Sequence, residues 1–277
     1  MSVRLPRRLG AAAMSAAIAL GAPPAMAAPF APHKAVYKLE SLDLGDGAGL
    51  SGADGAISLE WKLTCEGFVT NQRMITRLFG LDGEVQLGDL TVSTFEPSDF
   101  SSLRFTIQSL SEGTLAEDYF GTARKGREEA PGEIAYTRPE TQTAPLPAKA
   151  VFPSEHALGI LSSAGEGKRW HEAVVFEGGA PEEIYRVITF IGNRRTGDAG
   201  GEGAAGPQAA QAALAGLSFW PVTLTYYDLE LGDGLPRYEA RFHLYENGVS
   251  DELTLDYGSF SVHGTLRELE ILDRPSC

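Results

Sequence analysis

AISLEWKLTCEGF, residues 56–68, decides the fold class. Ile57, Leu59, Trp61, Leu63 and Cys65 share one parity, while Ser58, Glu60, Lys62 and Thr64 share the other. A strand sends successive side chains to opposite faces, so this is a half-buried β-strand with Cys65 at the end of its apolar face. The same period of two runs through SLRFTIQSL (102–110), with Leu103, Phe105 and Ile107 on one face, and through RYEARFHLYENG (237–248). There Asn247-Gly248 marks a tight hairpin turn, since both residue types tolerate positive φ. VSDELTLDYGSFSVHGTLRELEIL (249–272) continues as two strands around Gly258. Further strands are expected in KAVYKLESL (34–42), QRMITRLFG (72–80), EVQLGDLTVSTFE (84–96), LAEDYFGTA (115–123), GEIAYTR (132–138), IYRVITFIG (184–192) and WPVTLTYYDLEL (220–231). About a dozen strands joined by short Gly, Asp and Asn turns predict an all-β protein, as an antiparallel sandwich, barrel or curled sheet.

One helix interrupts the strands. In VFPSEHALGILSSAGEG (151–167), Ser154 is placed to cap and Glu155 sits in the first turn. Ala157, Leu158, Leu161 and Ala164 form a helical apolar stripe, and Gly165 ends it. Residues 192–216 hold seven Gly and eight Ala. They read as a flexible excursion, with a short helix over 207–215, within a single domain spanning residues 28–277. LDLGDG (42–47) and LELGDG (229–234) read as strand-to-turn exits and lack calcium-loop spacing.

Residues 1–27 have the layout of a secretory signal peptide. Arg4, Arg7 and Arg8 form a basic start, an apolar stretch runs from about Leu9 to Ala22, and Ala25-Met26-Ala27 supplies a cleavage site after Ala27. The stretch is too short and too rich in Ala and Gly for a membrane span of ~20 strongly apolar residues, and no later segment is apolar enough to cross. Removing the three arginines lowers the formal charge from −14 by three, to −17. A chain this acidic does not seek nucleic acid or anionic headgroups through its overall field. Export to an oxidising space, the periplasm, lets disulfides persist. The two cysteines, Cys65 and Cys277, admit one internal pairing; two free thiols or an intermolecular bridge are the alternatives.

No catalytic motif is present: there is no G-x-S-x-G elbow, no S-x-x-K and no H-E-x-x-H. Two distant cysteines and five scattered histidines match no zinc spacing, and no cofactor is implied. Glu155-His156 is a tempting dyad, but adjacent helical residues point about 100° apart. His243 and His263 occupy polar strand positions. The aromatics are either ordinary core or the lining of an apolar cavity inside a curled sheet, with Trp61, Phe105, Phe219 and Trp220 as the candidate lining residues.

Several stretches resemble the EipB family of periplasmic cell-envelope proteins. They are HKAVYKLES, GAISLEWKLTCEGF, VFPSEHAL, YRVITFIG, FWPVTLTYYD and, most specifically, the ending YENGVSDELTLDYGSFSVHGTLRELEILDRPSC. The resemblance covers nearly the whole mature chain. It implies a β-spiral, a long antiparallel sheet curled into an incomplete barrel like the LolA and LolB carriers, with a helix beside it. It also implies a Cys65–Cys277 disulfide, a role in envelope integrity and no enzymatic activity. The work expected is binding, either of an envelope protein partner or of a lipid-like ligand in the concavity. A periplasmic hydrolase using a carboxylate or His pair in the same cleft is the competing expectation.

Overall fold

The computed structural model describes residues 30–45, 47–127, 130–197, 208–229 and 234–277; the expected signal peptide lies outside them. In chain order the strands are β1 (His33–Leu44), β2 (Leu50–Leu63), β3 (Gly67–Gly80), β4 (Val85–Pro97), β5 (Ser102–Ser111), β6 (Thr114–Arg124), β7 (Gly132–Arg138) and β8 (Gln142–Leu146). After helix α1 (Pro153–Gly165) come β9 (Trp170–Phe176), β10 (Ile184–Ile191) and β11 (Arg195–Thr196), then helix α2 (Gln208–Leu214). The chain finishes with β12 (Ser218–Asp228), β13 (Tyr238–Tyr245), β14 (Ser250–Asp256) and β15 (Phe260–Ile271).

All fifteen described strands form one antiparallel sheet, ordered β8-β7-β6-β5-β4-β3-β2-β1-β15-β14-β13-β12-β10-β9, with β11 beside β12. Bulges in the β1–β15, β5–β6, β6–β7 and β13–β14 pairings add local bend and twist. The sheet curls but does not close into a barrel. Its outermost strands, β8 and β9, are linked through Val151, which follows β8 and forms one isolated parallel bridge to Val175. The Val151 N–H donates to the Val174 carbonyl at 2.9 Å, and Phe176 N–H donates to the Val151 carbonyl at 3.1 Å.

The parity of 56–68 holds: Ile57 and Trp61 are buried and Ser58 is exposed. Cys65, however, lies beyond β2 in the exposed turn to β3, not on the apolar face. It pairs with Cys277, with the Cα atoms 5.7 Å apart. Since β1 separates β2 from β15, the bridge spans one strand in the middle of the sheet and leaves the open edges untouched.

Helix α1 packs Ile160, Leu161 and Ala164 into a cluster with Trp61, Phe68 and Trp220. Its start differs from expectation. Phe152 is the N-cap and Pro153 opens the helix, so Ser154 lies inside it. The free N–H groups of the first turn go instead to Glu96 of β4, fully buried, whose carboxylate accepts from Ser154 at 2.7 Å and from Glu155 at 3.3 Å. The fold also holds a second helix. Ala210 and Leu214 of α2 are buried in a cluster with Phe219 and Tyr245. Thus both flanks of the Gly/Ala-rich excursion are structured, while 198–207 lie outside the described residues. Strand β9 carries no clear alternation in WHEAVVF, which is why the sequence did not announce it.

The Asn247-Gly248 turn forms as expected, with Gly248 at φ +84°. The Phe30 ring fills the space where a Cβ at Gly248 would stand, 2.3 Å away. This contact and the bond from Ala31 N–H to the Asn247 carbonyl at 2.7 Å seat the start of the described chain.

Candidate functional site

The concave face of the sheet encloses two adjoining lobes of about 530 Å³ and about 250 Å³. They share Leu59, Thr70, Pro153, Glu177 and Ser250. The volumes fall at the scale of small-molecule sites, ~300–1,000 Å³. Strand alternation explains the lining of the larger lobe. Ile57 and Leu59 of β2, Met74 of β3, Leu90 and Val92 of β4 and Ile107 of β5 all present their inward parity. Leu253 and Leu255 of β14 face them from across the curl.

The polar part of the lining is asymmetric. Glu117, Glu177 and Glu183 border the larger lobe together with Tyr185, Tyr238 and Tyr257, and among the described residues neither lobe has a Lys or Arg in its wall. Tyr226 stacks on Tyr238 with centroids 4.1 Å apart, and Tyr185 meets both edge-on at 5.8 and 6.3 Å. The Tyr226 hydroxyl donates to Glu177 Oε1 at 3.3 Å. Burial pushes the Glu177 carboxyl up to about 6, against the opposing Tyr226 bond, and nearby Glu183 adds to the rise. Burial likewise raises Glu183, whose carboxylate accepts the Ala180 N–H at 2.9 Å.

His156 lies on the wall of the smaller lobe, 5 % exposed, and its Nε2 has no hydrogen-bond partner among the described residues. Burial first, and His171 second, hold its pKa down to about 4. Glu155 and His156 diverge as helical neighbours must: Glu155 pairs outward with Lys125, and His156 points inward. A histidine whose folded pKa is depressed keeps full stability above its unfolded value of 6.5 and loses it as pH falls toward 4. The stability advantage of wild type over His156→Gln should therefore shrink by on the order of 3 kcal/mol from pH 7 to pH 4. Glu177 acts in the opposite sense between about 6 and 4.5 but is common to both proteins. Urea titrations across this range check the prediction, and a pH-independent difference refutes it.

The four aromatics singled out by sequence occupy different places. Trp61 borders the smaller lobe and donates from Nε1 to Ser154 Oγ at 3.4 Å. Trp220 shares the inward parity but packs in the core, with one edge on a separate surface hollow of about 550 Å³ beside Arg169 and Arg194. Phe105 is inward but enclosed, 1 % exposed, between the rings of Tyr136 and Phe176. Phe219 has the parity opposite to the lining residues Leu224 and Tyr226, so it points outward, against Tyr245 and His243. Neither Phe105 nor Phe219 touches the lobes, because one fills the closed part of the curl and the other lies on its convex side.

His–carboxylate pairs do occur, at His243–Asp251 (3.2 Å) and His263–Glu252 (3.7 Å). None of these four residues lines the concave lobes.

A family model described as EipB-like matches residues 24–273. The chain belongs to the EipB-like family. Among curated relatives, the cell envelope integrity protein EipB of Brucella abortus (strain 2308) is 32 % identical over 266 residues, covering 94 % of this chain and 91 % of the relative. A crystal structure from Brucella abortus, described as a beta-barrel-like protein of the domain of unknown function DUF1849, superposes with a TM-score of 0.80. That likeness covers 89 % of this chain and 100 % of the other, at 26 % identity. The EipB-like ending quoted from the sequence forms the end of β13, all of β14 and β15, and the half-bridge at Cys277. Glu177, Tyr185, Tyr238 and Tyr257, which give the EipB-like interior its polar end, escaped the sequence reading. They lie up to 80 positions apart in no motif, and only the alternation of β10 and β13 hinted at which way two of them face.

Proposed function

We propose that this protein serves envelope integrity without catalysis, by holding an apolar, lipid-like ligand against the concave face of its sheet. The name of the Brucella relative supports the envelope role. The observation that carries the binding reading is the partly empty interior: aliphatic side chains of β2–β5 and β14 face a space of about 530 Å³ instead of interdigitating. Close-packed protein interiors rarely leave such a volume unfilled. In this reading the protein works in the periplasm after removal of residues 1–27, and the exposed Cys65–Cys277 disulfide, a bond that persists in an oxidising space, supports that location.

Native mass spectrometry of the protein purified from its own envelope fraction tests this. The expected result is a 1:1 adduct of lipid mass, lost on exchange into organic solvent. A protein adduct in its place would move the role to partner binding, and ligand-free protein with no affinity for amphiphiles would refute the carrier reading.

A further inference from the structure

The larger lobe is apolar along one side and ends in carboxylates and tyrosine rings on the other. Glu177 and Glu183 stand at this end with Tyr185, Tyr238 and Tyr257 in the wall. Tyr226 stacks behind Tyr238. A tyrosine face attracts a cation within about 6 Å of its centroid, and more strongly where water is excluded. Two carboxylates side by side without a cation in the wall repel one another; a positive charge delivered by a ligand relieves this. Among the described residues the exposed Arg237 acts on Glu183 through its charge and lowers its carboxyl pKa, against the larger effect of burial. A second observation is independent of the carboxylates: the tyrosine rings gather at the same end, with Tyr185 edge-on to Tyr238 at 6.3 Å between centroids and Tyr257 also 6.3 Å from Tyr238.

We propose that the occupant of the concave lobes is a cationic amphiphile, an apolar chain ending in an ammonium group, with the chain along β2–β5 and the ammonium among Glu177, Glu183, Tyr185, Tyr238 and Tyr257. This rests on the carrier reading above and specifies its ligand class. An anionic head is disfavoured at this end by three carboxylates and by the absence of any Lys or Arg from the wall among the described residues.

The test uses three twelve-carbon probes below their micelle-forming concentrations: dodecyltrimethylammonium, dodecylglycerol and dodecanoate. Binding to the oxidised mature protein is followed by intrinsic fluorescence, with 1:1 stoichiometry read by native mass spectrometry. The ammonium probe is expected to bind about tenfold or more tighter than the neutral one, with dodecanoate weakest. Glu177→Gln should remove most of that preference, read as the ratio of the ammonium to the dodecylglycerol dissociation constant measured on the same variant. Tyr257→Leu, in an accessible turn and 39 % exposed, gives the same readout should the buried variant fail to fold. Equal affinity for all three probes, or a preference for dodecanoate, overturns the ammonium assignment and leaves the carrier reading standing. Failure of every probe to bind at 1:1 overturns the carrier reading itself. A preference that both variants retain marks general attraction to an acidic surface and also overturns the assignment.

Discussion

Replacing Phe105 with alanine is expected to destabilise the protein by about 3–5 kcal/mol, the cost of emptying a well-packed aromatic site. The ring is 1 % exposed and meets Tyr136 and Phe176 edge-on at 5.6 and 5.5 Å. It joins β5 and β7, which lie toward one end of the sheet order, to β9 at the other end. The backbone was shaped around it: a Cβ at Gly121 would stand 2.6 Å from its Cζ, and one at Gly178 would stand 2.8 Å from its Cβ. The loss therefore falls at the seam where the curl comes nearest to closing, and among the described residues the isolated β-bridge at that seam is the one at Val151. Chemical denaturation gives the magnitude. Hydrogen exchange should also show the Phe176 amide, bonded to Val151, opening more than amides of β2 or β3. Phe105→Leu, which keeps most of the volume, should cost much less. A Phe105→Ala penalty under 1 kcal/mol, or no change at Phe176, would show that the seam does not depend on this ring.

Removing the disulfide by Cys277→Ser should cost about 2–5 kcal/mol, because the bridge closes a very long loop in the unfolded chain. The sequence separation is 212. The native sheet should nevertheless survive. Strand β1 pairs with β15 from His33–Ile271 to Leu44–Phe260 and with β2 from His33–Trp61 to Glu40–Asp54. These ladders hold the two ends of the chain together without the sulfurs. Fraying is expected only beyond Leu272, whose N–H still donates to the Pro32 carbonyl at 2.7 Å. The measurement is a denaturation midpoint for wild type and variant, paired with near-ultraviolet circular dichroism under native conditions. A native spectrum with a lowered midpoint is the expected pair. Collapse of the spectrum would mean that the bridge, not β1, holds the termini. An unchanged midpoint would mean that the unfolded ensemble already keeps them close.

Much of this fold is legible in the amino-acid order because strand alternation is local. Leu59 and Trp61 face inward and Ser58 outward for a reason contained within four residues. Helix α1 announces itself through its apolar stripe, and the Asn247-Gly248 turn through its φ requirements. Its cap was less legible. Ser154 looked like the capping residue, but Glu96, from a strand 58 positions earlier, supplies the acceptor. Cys65 shows the same limit, since parity continues on paper past Leu63 while the chain has already turned.

The sequence by itself determined the strand content, the inward parity of most strands, the helix over 153–165 and the single internal pairing open to two cysteines. Each depends on periodicity of two or 3.6 residues, or on counting. Tertiary structure alone decided that the curl stops short of closure, that Phe105 fills its interior while Phe219 lies outside it, and that Glu177, Tyr185, Tyr238 and Tyr257 meet at one end of the space. Those outcomes depend on register between strands and on the bulges that bend them. A shift of one residue in either turns every side chain of a strand to the other face, and no local pattern encodes the sum of fourteen such pairings.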